Sequence, residues 1–478
     1  MSKRTLAMIV LVVAQFMDLM DAMITNVALP SIQRDLGASA AELEWTLSAY
    51  VLMFAVVLVT GGRLGDIAGR RTVFLVGIAG FTLASLGASV SQTATELVLA
   101  RGLQGLCAAL MVPQVLSTAQ ALYGPEERGG IFGLMSALGG IGVLTGQLLG
   151  GWMVSSDAFG IGWRSVFVIN VPVGVLILLL TLMVVPNTRS EHPLSLDVPG
   201  FLLATGGTLL LLYPLIEGNT AGWPTYMWVL FAAAAAVLAL FVLSQRRKER
   251  LGDSPLVPMR LFSDRGFAAG SVVQLANYIG WGSFALMIPL YIQDGLHESP
   301  LRAGLTMLPV TVGSFVGTAL AGVAARSGRP MVAIGGVVEA AGFAWYAYAI
   351  HQAGEHLTLW TLALPLGLTG VGMILLAVPL MSVSLHGVPG GDAGAASGTF
   401  TMFQQMGNAS GIAVVGVVFF HVLGAHPTST DYRHAIVTGT TVTVVAFAVA
   451  AAAALALPRT TAPAHHGEQE VTPEPARA

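Results

Sequence analysis

The stretch GGRLGDIAGRR, Gly61 to Arg71, places glycines, one carboxylate and three arginines between two apolar runs. Glycines recurring at Gly62, Gly65 and Gly69 predict a tight turn between two helices. Asp66 with Arg70 and Arg71 predicts a charge lock at the mouth of that turn, extended by Glu126 or Glu127 further along the chain. A plain basic turn would carry the arginines without the recurring glycines.

The surrounding composition fixes the solvent. Hydrophobic residues make up 55% of the 478 residues and charged ones only 10%, with a mean hydropathy of +0.76. Such a chain is an all-α integral membrane protein. The single Cys107 excludes an intramolecular disulfide, and no cluster of Cys or His has metal-ligand spacing, so neither a cofactor nor a metal is expected. The net charge of −3 gives no reason to expect nucleic acid as a partner.

Runs of roughly 20 apolar residues, the length that crosses a bilayer, occur about fourteen times: near 7–28, 43–62, 72–91, 96–122, 131–154, 164–185, 198–216, 224–244, 266–292, 302–325, 330–351, 358–385, 396–422 and 434–457. An even number returns both termini to one side. With the N-terminus in the cytoplasm, only Arg34, Arg164, Arg302 and Arg433 of the 22 basic residues fall outside, and Arg101 alone falls within a span. The run through Asp18 and Asp21 has no small-residue cleavage site, so the N-terminus reads as a first helix rather than a removable leader. ARSGRP, Ala325 to Pro330, is a worn copy of the first turn. It predicts two six-helix bundles, 1–190 and 251–457, separated by two additional transmembrane helices in 191–250. The Pro-, Thr-, Ala- and Glu-rich 458–478 reads as a disordered cytosolic tail.

Ionisable groups inside a bilayer are costly and mark functional positions. Asp18 and Asp21 lie three residues apart on one helix face, with Thr25 on the same stripe. Two carboxylates so close do not both ionise easily, so one is predicted to hold an exchangeable proton. Arg101 needs a partner, and Asp18 or Asp21 is the obvious one; an arginine snorkelling to the interface is the alternative. Glu339 is the only mid-span acid of the second bundle and is either a second coupling or cation-binding group or a protonated packing residue. The uncharged polar residues Gln104, Gln147, Gln274, Asn277, Gln404, Gln405 and Asn408, with Trp281 and Tyr278, are candidates to line a substrate site or to join helices. Gln274 with Asn277, and Gln404 with Asn408, have same-face spacing. Gly139, Gly142, Gly146 and Gly150 form a smooth face for close helix packing, expected where the two bundles slide.

Four motifs together resemble the fourteen-span drug:proton antiporters of the major facilitator superfamily, over the whole chain except its tail. LMDAMITNVALP in the first span is similar to the family's first-helix motif, with Asp21, Asn26 and Pro30 on motif positions and Met23 in place of threonine. LVLARGLQG carries Arg101, Gln104 and Gly105, and the gate turn supplies Gly62, Gly65, Asp66, Gly69, Arg70 and Arg71. GVLTGQLLGG, Gly142 to Gly151, matches the antiporter motif except that Gln147 replaces its proline, which leaves the local kink and the transport direction open. The resemblance implies a major facilitator fold and a cytoplasmic gate at the Gly61–Arg71 turn. There Asp66 would face a helix N-terminus of the other bundle.

The resemblance also implies proton-driven export of a lipophilic, neutral or cationic drug or antibiotic by a monomer in the bacterial plasma membrane. Thr25, Asn26, Gln104, Gln147, Gln274, Asn277, Trp281, Gln404 and Asn408 are the expected substrate contacts, and Asp18, Asp21, Arg101 and Glu339 the expected coupling groups. A proton symporter on the same fold is the rival reading. An enzyme would need a polar loop with clustered acids or histidines, and a receptor a larger soluble domain; the sequence offers neither. Twenty Arg against two Lys suggest a GC-rich bacterial genome.

Overall fold

A computed structural model describes residues 3–190, 195–320, 327–353, 357–388, 393–424 and 427–458. The chain is helical almost throughout. The helices are α1 (Lys3–Leu36), α2 (Ala40–Ala68), α3 (Arg70–Val90), α4 (Ala94–Leu122), α5 (Pro125–Ser155), α6 (Ser165–Val168), α7 (Asn170–Val184), α8 (Val198–Ala221) and α9 (Thr225–Arg250). They continue with α10 (Arg265–Leu290), α11 (Pro300–Thr306), α12 (Leu308–Ala319), α13 (Arg329–Ala353), α14 (Leu359–Leu385), α15 (Ala393–Leu423) and α16 (Ser429–Ala454). Among the described residues, 13 helical stretches are long and apolar enough to cross a membrane. The remaining predicted span, 302–325, is represented by α11 and α12. Proline explains both broken spans. Pro172 cannot donate to the carbonyl of Val168, where α6 ends, and Pro309 cannot donate to that of Leu305, beside the end of α11.

Two six-span halves are visible in the packing. In the first, α1 packs on α4, α5 and α7, and α4 on α2 and α3; in the second, α10 packs on α15 and α16, and α13 on α14 and α16. The halves meet along α2–α15, α5–α11 and α1–α10, while α8 packs on its neighbour α9 and against both α2 and α15. The two additional helices therefore lie beside the α2–α15 seam. At the end of the molecule carrying the α1–α2 turn, Leu29, Leu43, Leu47 and Ala94 of the first half join one buried cluster with Phe284, Tyr291, Phe419 and others of the second. Polar links cross there too: Arg34 meets Asp294 at 2.9 Å, and Gln293 Nε2 donates to Val27 O at 2.8 Å. Arg164–Asp35 and Arg302–Glu298 are ion pairs at this same end.

Two sequence expectations about local structure need correction. The Gly61–Arg71 stretch is not a loop: residues through Ala68 remain helical, and the turn is Gly69 alone, at φ +101°. The earlier glycines serve packing instead, because a Cβ at Gly61 would strike Ala109 O on α4 and one at Gly65 would strike the Gln114 side chain. The glycine face of α5 packs on α1 inside the first half rather than at the seam between halves. A Cβ on Gly142 would come within 3.2 Å of Phe16 O, one on Gly146 within 2.6 Å of Met20 O, and one on Gly150 within 3.2 Å of Ile24 Cα. Another side of α5 meets the second half, with Gly151 against Leu301 and Pro300 of α11.

In the worn second turn, Gly328 also has positive φ, +57°, just before α13; Ala325 and Arg326 lie outside the described residues, as do residues 459–478 of the predicted tail.

A polar knot ties the additional helices down. Asp197, at the start of α8, accepts Lys248 Nζ at 2.7 Å, Gln245 Nε2 at 2.8 Å and the backbone N–H groups of Gly200 and Leu256 at 2.8 and 2.9 Å. Arg63 of α2 donates to the carbonyls of Ser195, Ser254 and Pro255 on either side of the knot. Burial alone would raise the Asp197 carboxyl, but the Lys248 and Gln245 side chains and the two N–H groups outweigh it and hold the group below the ordinary carboxylate range. A group with a lowered folded pKa contributes stability above its unfolded value, about pH 4, and loses it as pH falls through the folded value. Thermal unfolding of the purified protein is thus expected to separate wild type from Asp197→Asn at neutral pH, with the gap closing below about pH 4. A gap that stays constant across that window contradicts this role.

Candidate functional site

The first half encloses a polar cluster built from five helices. Asp21 is fully buried and Arg101 is 1% exposed, so Arg101 does not snorkel to an interface. Arg101 Nη1 lies 2.6 Å from Asp21 Oδ2 and donates to Gln104 Oε1 at 2.9 Å, while Nε donates to Thr46 O at 3.3 Å. Asp21 Oδ1 accepts Asn170 Nδ2 at 2.5 Å and Gln104 Nε2 at 3.3 Å. Gln104 also donates to Ser85 Oγ at 2.8 Å. Arg101 and Gln104 are three residues apart on α4, which puts both on the face that meets α1.

Asp18 does not pair with Arg101 directly. Its Oδ1 accepts the Tyr50 hydroxyl, and the Arg101 guanidinium lies over the Tyr50 ring, 4.3 Å from its centre. Tyr50 thus bridges the two acids through the cation between them. Gly105 makes this approach possible, because a Cβ there would come within 2.9 Å of Tyr50 Cα. Both oxygens of Asp21 are satisfied by side chains of α4 and α7. Its charge is therefore shared with groups on two other helices, α4 and α7.

Sequence reasoning missed Tyr50, Ser85 and Asn170. Asn170 stood alone in the apolar run VFVINVPVG, and that interruption was the available signal. Of the expected substrate contacts, Thr25 spends its hydroxyl on Asp21 O of the preceding turn, at 2.9 Å, and Asn26 is partly exposed. Gln147 lies in an unbroken α5 and its backbone meets Gly304 of α11; its Oε1 is buried and finds no hydrogen-bond partner among the described residues.

The second half holds a different environment. Glu339 is fully buried on α13, accepts Trp281 Nε1 at 2.9 Å, and has no partner on Oε2 among the described residues. Trp281 is ringed by Phe284, Phe343 and Phe447 at centroid distances of 6.3, 5.8 and 6.0 Å. Gln274 and Gln404 join across α10 and α15 at 3.2 Å instead of pairing with their same-face neighbours, and Asn408 Nδ2 contacts Gln405 Oε1 at 3.5 Å. Asn277 is buried with its Oδ1 unpartnered among the described residues. Glu339 and Asp21 are held in separate halves and share no partner among the described residues.

At the α2–α3 turn, Arg70 meets Asp66 at 3.1 Å and also donates to Ser117 O at 3.0 Å. Arg71 does not join the lock; it donates to Leu182 O at 2.6 Å. Glu127 pairs with Arg4 at 2.6 Å instead of with the turn, and the Glu126 side chain lies outside the described residues. The turn is stitched to the segment after α7 by Arg70 N–H to Thr188 O at 2.9 Å and Ser190 N–H to Asp66 O at 3.3 Å. Among the described residues no group of the second half bonds Asp66. Gly62 is not tightly packed, since a Cβ there would meet only Pro113 Cβ at an ordinary 3.7 Å.

Two helical halves with a buried ion pair in one and a buried acid in the other define a polytopic membrane transporter. Residues 11–412 match the Major Facilitator Superfamily, to which the chain belongs. Several of its relatives carry the names of antibiotic transport, resistance or export proteins. The chain is 39% identical to a probable actinorhodin transporter of Streptomyces coelicolor, over 90% of this chain and 75% of that one. It is 33% identical to a puromycin resistance protein of Streptomyces alboniger, over 87% and 82%, and 33% identical to a cephamycin export protein of Amycolatopsis lactamdurans, over 87% and 85%. In fold it is similar to an inward-facing bacterial homologue of the lysosomal transporter Spinster (TM-score 0.69, 15% identity, 95% of this chain and 97% of the other). It is also similar to a D-xylose–proton symporter (TM-score 0.68, 15% identity, 96% and 99%).

Proposed function

We propose that this transporter exports a lipophilic, neutral or cationic compound in exchange for protons, by alternating access of two bundles, 1–190 and 251–457. The observation that carries this is the buried Asp21–Arg101 pair with its Asn170, Gln104 and Tyr50–Asp18 connections. A proton arriving on Asp21 removes the charge that holds Arg101, Gln104 and Asn170 together, so α1, α4 and α7 can repack. Asp18, hydrogen-bonded to Tyr50 whose ring lies under the Arg101 guanidinium, is the second carboxyl through which that proton reaches or leaves the pair. Glu339 in its aromatic setting is a second coupling or cation-binding acid. The Asp66–Arg70 pair acts at the cytoplasmic gate.

The orientation proposed puts both termini and the α2–α3 turn in the cytoplasm of a bacterial plasma membrane, with the protein acting as a monomer. Of the 22 basic residues only Arg34, Arg164, Arg302 and Arg433 fall toward the opposite side, and this asymmetry supports the orientation. An inward-moving proton then gains about 2.3 kcal/mol per 100 mV of membrane potential. The names of the relatives, a probable actinorhodin transporter and a puromycin resistance protein, support an antibiotic-like cargo. Residues 191–250 form the inserted pair, and the seam they flank is a route along which a lipophilic compound can approach.

Expressed in cells stripped of their own efflux pumps, the wild type is expected to lower the accumulation of at least one fluorescent lipophilic cation or antibiotic. Asp21→Asn, present at equal membrane level, should lose that effect. Equal efflux by both would refute coupling through Asp21. The symporter reading rests on Gln147, since α5 passes through it without the break a proline would bring. That reading requires uptake instead of export in the same assay.

A further inference from the structure

A third carboxyl is buried at the seam between the halves, and neither the motifs nor the ion-pair cluster accounts for it. Glu44, one turn into α2, is 3% exposed, and its Oε2 has no hydrogen-bond partner among the described residues. It fills a notch in α15 that exists only because residue 416 is glycine; a Cβ there would fall on the carboxyl group itself. One turn along α2, the Ser48 hydroxyl is likewise buried without a partner among the described residues.

Among the described residues no cation faces Glu44. The neighbouring charged group is Glu217 of α8, which accepts Trp45 Nε1 at 3.0 Å. On α15, His421 lies beyond Gly416 and is exposed. On α4, Arg101 is engaged with Asp21 and Glu96 is exposed. On α1, Arg34 is engaged with Asp294, and on α2 itself Glu42 caps its own helix with Ser39. Closing this seam over an ionised, unpartnered carboxylate beside a second acid is costly, whereas closing it over the neutral acid is not.

We propose that Glu44 is a proton-binding latch at the α1–α2 end: it takes a proton from the outer water when the seam is open, and the seam closes over it only in the neutral form. Opening hydrates the group and lets the proton leave. The latch rests on the proton-coupled, outward-oriented reading above and adds a second carboxyl to it, one that ties closure of the outer seam to proton uptake. Gly416 is its positioning residue.

The test uses the full chain in intact cells, with Cys107→Ala removing the native thiol and Ser48→Cys reporting the seam to a membrane-impermeant maleimide. With Glu44 present, labelling is expected to rise several-fold as external pH goes from about 6 to about 8, across the range where a shielded carboxyl can ionise. Glu44→Gln, which keeps the shape and removes the titration, should label slowly at both values. Gly416→Ala, which fills the notch, should label fast at both. Retention of the pH dependence in Glu44→Gln, or slow labelling of Gly416→Ala, would overturn the latch. Substrate-driven proton release from vesicles of the same cells separately decides the antiport reading; its absence beside an intact labelling profile sinks antiport alone.

Discussion

Replacing Arg101 with methionine is expected to cost about 3–5 kcal/mol of stability, the range for breaking one side of a buried ion pair. Asp21 would be left without its cation in a site that is 0% exposed, with only Gln104 and Asn170 as side-chain donors. Asp21→Asn should also destabilise, because the Arg101 charge is left with Thr46 O, Gln104 Oε1 and the Tyr50 ring. The double variant Asp21→Asn/Arg101→Met should recover part of the loss, since it removes both charges together. Thermal unfolding of the four proteins in one detergent measures this as a coupling energy. Additivity within about 0.5 kcal/mol would mean that the pair does not act as a unit. Recovery of stability must not bring recovery of transport, because the double variant lacks the Asp21 carboxyl that takes the proton.

The second large effect is expected at Gly146. A Cβ there would lie 2.6 Å from Met20 O and 2.9 Å from Met23 Cβ, so Gly146→Val must push α5 away from α1. Overpacking of this kind costs about 1–3 kcal/mol. The functional loss should exceed what that implies, because the displaced stretch of α1 runs from Phe16 to Ile24 and carries Asp18 and Asp21 between the contacts. Gly140→Ala, whose Cβ would meet nothing within 4 Å, is the matched control and should export like wild type. Membrane abundance and substrate accumulation, measured together, separate misfolding from a folded but displaced site. Full activity of Gly146→Val would show that α1 and α5 are not held in register by this face.

The membrane class and the span count were legible in the sequence because the bilayer imposes them locally, through length and apolarity, on each helix. The Asp21–Arg101 pairing was legible for a related reason: a lone arginine and a lone pair of acids in apolar surroundings have few possible partners. Contacts between distant helices were not legible. Tyr50, Ser85 and Asn170 complete the cluster from α2, α3 and α7, and no spacing within any one helix announces them. In the sequence Glu44 lies two residues from Glu42 with no signal of its own; the notch opposite it, at Gly416 of α15, is what distinguishes the two. The glycines of α5 announced a close helix contact but not which helix would fill it, and α1 did. The glycines at Gly61 and Gly65 read as loop because glycine favours turns in isolation, whereas here the approach of α4 keeps them helical.

The measurement that bears most directly on proton-coupled export is proton movement in inverted membrane vesicles energised to an acid interior, with the wild type and Asp21→Asn compared across a panel of lipophilic cations and antibiotics. The account predicts that at least one compound releases lumenal protons with the wild type and not with Asp21→Asn. Proton movement in the same direction as the compound, or equal release by both proteins, would contradict it.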